Sequence, residues 1–130
     1  MKGVFYISLV LALSFTVSCT KKPAQVATTV AESMLDGKGE KVYQSLSLEL
    51  KSQVPKEKVV AGIQDQFNRN KKNGLRYKDL KVAKEEVKDD SATVTVEYLE
   101  YSDKEPKNEE RRTKTLRLVK EGKNWAVQNL

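Results

Sequence analysis

Histidine does not occur among the 130 residues, and cysteine occurs once, as Cys19. Without an imidazole the chain cannot build a Ser-His-Asp triad, a Cys-His pair or a histidine-ligated metal centre. With one thiol it cannot close a disulfide within itself, so a folded domain must draw its stability from an apolar core. Tryptophan is also single, at Trp125, and there are only three prolines. No apolar run reaches the roughly twenty residues needed to cross a bilayer core. The longest, Val4 to Val17, is shorter and contains Ser8, Ser14 and Thr16.

That run is nonetheless informative where it stands. Lys2 precedes it, and small Ser18 and Cys19 close it in the order Thr16-Val17-Ser18-Cys19-Thr20-Lys21-Lys22, the layout of an export signal with its processing site. The stretch resembles a bacterial lipoprotein signal. The resemblance implies cleavage after residue 18, lipidation of Cys19, and attachment to a membrane of the cell envelope, with the outer membrane favoured because Thr20 is not an aspartate. Ordinary secretion after Ser14-Phe15-Thr16 is the alternative, and would leave Cys19 as a free thiol near the N-terminus. Thr20 to Pro23 reads as a short tether, so residues 1–18 form the signal, 19–23 the anchor, and 24–130 the domain.

Twenty-four basic and 18 acidic side chains give a formal charge of +6, and loss of the leader removes one lysine and no acid. The excess suits anionic surfaces such as lipid headgroups, although mixed signs and salt weaken it. Arg69, Lys71, Lys72, Arg76, Lys78 and Lys81 are the densest basic segment and read as a solvated surface. A nucleic-acid partner is not expected of an exported chain.

Apolar residues at Val26, Ala27, Val30, Ala31 and Met34 follow helical spacing, with Gly37 placed to end the helix. A short helix is predicted over 40–46, with Val42, Tyr43 and Leu46 turned inward, and residues 47–54 continue as helix or loop. Pro55 opens a longer amphipathic helix on Val59, Val60, Ile63 and Phe67, which Arg69, Lys71, Lys72 and Gly74 bring to a close. Strands are then expected over Leu75–Val82, bent near Lys78-Asp79, over Ala92–Tyr98, over Thr113–Lys120 and over Asn124–Leu130. Turns are expected at Asp89-Asp90 and Glu121-Gly122, and a solvated connection around Pro106 over 102–109. Helices followed by an antiparallel meander make an α+β layer architecture, with the helices on one face of the sheet.

The order of elements, with Gly39-Glu40-Lys41-Val42-Tyr43, Ser91-Ala92-Thr93-Val94-Thr95-Val96 and the run from Leu116 through Lys120-Glu121-Gly122-Lys123-Asn124-Trp125 to Val127, resembles small bacterial lipoproteins carrying a nuclear transport factor 2-like domain of unknown function. The resemblance implies N-terminal helices packed on a curved antiparallel sheet of about four strands, forming a cone whose wide end holds a cavity. Phe67, Tyr77, Tyr98 and Trp125 are the candidates to line that cavity. The expected role is non-catalytic: binding of a small apolar ligand or an envelope protein, with no cofactor and no metal. Two alternatives remain. One is a cavity-based carboxylate enzyme, an isomerase, dehydratase or hydrolase with Tyr77, Tyr98 and Tyr101 available as donors; the other is a structural module dimerising through the open sheet face. Gly37-Lys38-Gly39 lacks the flanking strand and the Lys-Ser/Thr ending of a phosphate loop and reads as a helix stop.

Overall fold

The computed structural model describes residues 21–130; the leader and Cys19 lie outside the described residues. Four helices precede four strands: α1 (Pro23–Leu35), α2 (Gly39–Gln44), α3 (Leu48–Gln53), α4 (Lys56–Lys72), β1 (Leu75–Lys88), β2 (Ser91–Ser102), β3 (Glu105–Glu121) and β4 (Asn124–Val127). The strands form an antiparallel meander in the order β1-β2-β3-β4. The helices cover one face of it, as the succession of sequence periods predicts.

The core lies between α1 and the inner face of β2 and β3. Helix α1 buries Val26, Ala27, Val30 and Ala31, and the sheet answers with Val94, Val96, Leu116 and Leu118, these four within 1 % of complete burial. Each such valine or leucine contributes about 1.5 to 3 kcal/mol of transfer free energy. The alternation that leaves Thr93 and Thr95 on β2 half-exposed while hiding Val94 and Val96 gives the sheet one dry and one wetter face.

Helix α1 ends as its glycine predicts. Gly37 takes a φ of +73°, its N–H bonds to the Met34 carbonyl, and the Lys38 N–H bonds to the Ser33 carbonyl at 2.8 Å, a Schellman closure. The ring of Phe67 packs against the bare face of Gly37, where a β-carbon would come within 2.6 Å of it. Gly39 serves a different need. Its α-carbon faces the backbone of Val60, and a β-carbon there would lie 2.7 Å from the Val60 α-carbon, so α2 and α4 meet at closer range than any other residue permits.

Strand β1 bends where expected and continues further than expected. Asp79 adopts a φ of +56°, and Asp79 and Leu80 together oppose one β2 residue between the pairs Lys78↔Leu99 and Lys81↔Glu97. This bulge re-phases the strand. Tyr77, Leu80 and Val82 thereby all face the helices, and Arg76, Lys78 and Lys81 all face water. A second irregularity falls between Val82 and Lys84, and pairing resumes to Lys88↔Ser91 around the Asp89-Asp90 turn.

The stretch over 102–109 departs from its expected loop. The turn comprises only Asp103 and Lys104, and β3 begins at Glu105, which pairs with Ser102; the ladder then skips to Tyr101↔Glu109. Pro106 lies in that skip, where its missing N–H leaves no ladder bond broken. The last strand is shorter than expected, ending at Val127. Asn124 pairs with Glu121 across a two-residue turn whose first residue, Gly122, has a φ of +62°.

Candidate functional site

The end of α1, the end of α4 and the start of β1 converge on a cleft of about 170 Å³, lined among others by Leu35, Asp36, Phe67, Asn70, Leu75, Tyr77, Glu100 and Tyr101. Each wall has a local cause. The Schellman closure sets Asp36 at the helix end, the Gly37 contact fixes Phe67, and the bulge at Asp79 keeps Tyr77 on the inner face beside its β2 partner Glu100.

Within the cleft the Tyr77 hydroxyl donates to Asp36 Oδ1 at 2.6 Å. Burial drives the Tyr77 phenol far above the ordinary tyrosine value, and the hydrogen bond to Asp36 and the negative charges of Asp36 and Glu32 add to the effect. The phenol therefore stays protonated and acts as a donor. The edge of the Tyr77 ring meets the Tyr98 ring, with centroids 6.1 Å apart at 77°. Burial also raises the Tyr98 pKa, the Glu100 charge raises it further, and Arg112 opposes both. Arg112 in turn binds Glu100 at 3.2 Å and Glu110 at 2.8 Å. At the rim Arg76 holds Asp103 at 3.1 Å, and Lys78 pairs with Glu109 while lying 5.4 Å from the centre of the Tyr101 ring.

Of the four cavity candidates, Phe67 and Tyr77 line this cleft, and Tyr98 buttresses it through Tyr77. Trp125 lies at the other end of α1, half-buried against the core beside Val26, Thr29 and Ser45. The structure thus brings three of the candidates together and sets the fourth apart. Asp36 belongs to the site and is missing from the sequence-based candidates, whereas Tyr101, a candidate donor, meets the cleft only at its rim, on the wet face beside Arg76 and Lys78. The Asp36 signal was nonetheless present: an acid at a helix C-terminus opposes the helix dipole and calls for a donor. Among the described residues no group of three or more acidic or thiol ligands is gathered for a metal ion.

No protein-family model matches the chain, and no relative is found among curated proteins. Solved structures do match. A Campylobacter jejuni protein named, provisionally, a nuclear transport factor 2-like transpeptidase superposes with a TM-score of 0.65 at 16% identity, over 85% of this chain and 100% of its own. A SEC-C motif containing protein from Rhodopseudomonas palustris superposes with a TM-score of 0.57 at 10% identity, over 82% of this chain and 75% of its own. At these identities the likeness shows the fold, which is nuclear transport factor 2-like: helices packed on an open four-stranded antiparallel sheet.

Proposed function

We propose that the chain is a lipid-anchored protein of the bacterial cell envelope whose domain is a non-catalytic binding module, with the Asp36–Tyr77 cleft as its contact site. The observation that carries this reading is the size and make-up of the cleft. At about 170 Å³ it is smaller than the roughly 300 to 1,000 Å³ of sites that enclose small molecules. Valines, leucines and alanines fill the space between helices and sheet. A shallow, half-polar cleft with Phe67 at its floor suits one side chain of a protein or peptide partner better than an enclosed apolar ligand. A photo-crosslinking residue at Asn70, on the α4 wall of the cleft, should capture one envelope protein in cells in discrete yield, and the same probe at Thr93, on the wet face of β2, should not. Adducts of the chain with itself would instead favour the dimeric structural module.

The carboxylate-enzyme reading keeps one observation in its favour, the short contact between an acid and a protonated phenol. In that reading Asp36 accepts a proton and Tyr77 steadies developing negative charge. The transpeptidase name of the Campylobacter jejuni protein points to acyl transfer, which needs a nucleophile beside a base. The carboxylates that line the described cleft are Asp36 and Glu100, and Arg112 already holds Glu100, which leaves Asp36 as the base. Turnover separates the readings: an enzyme converts a substrate and loses that conversion in Asp36→Asn, whereas a binding module converts nothing in either form and loses only affinity for its partner.

A further inference from the structure

At the opposite end of α1 from the cleft, Trp125 pairs with Lys120 across the β3–β4 hairpin. With Lys21, Lys22, Lys123 and Gly122 the two line a surface depression of about 250 Å³. All four lysines are exposed, and among the described residues none of them enters an ion pair. Nor does any carboxylate line the depression. The hairpin's own acid, Glu121, is turned away to α3, where it accepts the Leu48 N–H at 3.0 Å. The acids of the neighbouring turn, Asp89 and Asp90, touch the hairpin only through the Asp90 carbonyl, which accepts the Lys120 N–H at 2.8 Å.

The direction in which the chain leaves this patch is fixed by α1. The Lys22 N–H donates to Gln25 Oε1 at 2.9 Å, and Pro23 is buried in the first turn. Lys21 is two residues from Cys19, a reach of at most about 7 Å. Acyl chains on Cys19 would therefore hold the patch within a Debye length of the headgroups, where lysine charge is least screened. A half-buried tryptophan ringed by lysines also matches the chemistry of a bilayer interface, apolar ring inward and cations among phosphates.

We infer that the surface formed by Lys21, Lys22, Lys120, Lys123 and Trp125 docks on anionic phospholipid headgroups and seats the hairpin against the leaflet that holds the anchor. The inference rests on the anchored reading proposed above. Its consequence is orientation: the 13-residue α1 sets the Asp36–Tyr77 cleft roughly 20 Å further from the bilayer, facing partners.

Trp125 is the only tryptophan, so its fluorescence reports on this surface alone. The chain as extracted in detergent from the cells that produce it, processed as it is there, is reconstituted into vesicles of brominated phosphatidylcholine, with or without brominated phosphatidylglycerol, and flotation and quenching are read together. Quenching at least about threefold stronger with phosphatidylglycerol is expected, and should be lost when Lys21, Lys22, Lys120 and Lys123 are all changed to glutamine while circular dichroism and flotation stay unchanged. A chain that floats without quenching, or is quenched equally in both vesicles or in the quadruple variant, overturns the docking surface and leaves the anchor standing. A chain that does not float overturns the anchored reading and the docking with it.

Discussion

Tyr77 is the residue on which the cleft turns, and its protonation gives it a measurable signature. Its pKa in the fold lies well above the ordinary value near 10, so between those two values the unfolded chain has lost a proton that the folded chain keeps. The stabilisation is complete below pH 10 and declines as pH rises beyond it. Ultraviolet titration should show two of the chain's five tyrosines, Tyr77 and Tyr98, ionising late or only with unfolding. Tyr77→Phe should flatten the loss of stability above pH 10 and lower stability at neutral pH by about 1 kcal/mol, as read by urea unfolding. Trp125→Ala should cost about 2 to 3 kcal/mol, below the range for a buried tryptophan because part of the ring is already wet. Asp36 drew no attention in the sequence. A carboxylate marks a site only through its surroundings, and Tyr77 reaches it from a segment 41 residues distant.

Among the elements, the α2–α4 contact is the most exposed to a single change. Gly39→Ala places a β-carbon against backbone that cannot yield, and should lower stability by roughly 1 to 3 kcal/mol in chemical denaturation. Gly37→Ala meets only the ring of Phe67, which can shift, but must hold a positive φ; a loss of about 1 to 2 kcal/mol is expected. Where an element has one dry face, its sequence announces it: Val26, Ala27, Val30 and Ala31 mark α1, and Ala92, Val94 and Val96 mark β2. The first half of β3 has no such face. Residues 105–113 are exposed on both sides, so the run reads as a loop although Glu105 and everything from Glu109 onward pair with β2. The bulge at Asp79 was legible as a bend. Its effect on phase, which gathers Arg76, Lys78 and Lys81 on the wet face, depends on the register and so on the partner strand.

For the molecule as a whole, the described fold does not draw on the residues proposed to carry the anchor. The described core draws on residues from Val26 onward, so Cys19→Ser should leave thermal unfolding unchanged while moving the protein from the membrane to the soluble fraction, as read by cell fractionation and calorimetry. A full membrane fraction for Cys19→Ser would count against lipidation. The general reading, helices first and a meander after, was available from the change of period at Gly74; the division between a cleft and a lysine-ringed tryptophan was not, because Trp125 and Phe67 carry the same apolar signature and only the path of α1 parts them. One feature of the sheet bears on how such a protein survives crowding. Strand β4 pairs only with Leu118 to Glu121, so most of the outer side of β3 is left as an open edge. An edge of that length can template the addition of a second sheet, and from there a fibril. Here it begins with Pro106 in a skipped register and runs on through Lys107, Glu109, Glu110, Arg111 and Arg112. A proline that cannot donate and a file of charges that resist dehydration make this edge a poor seed for association between copies.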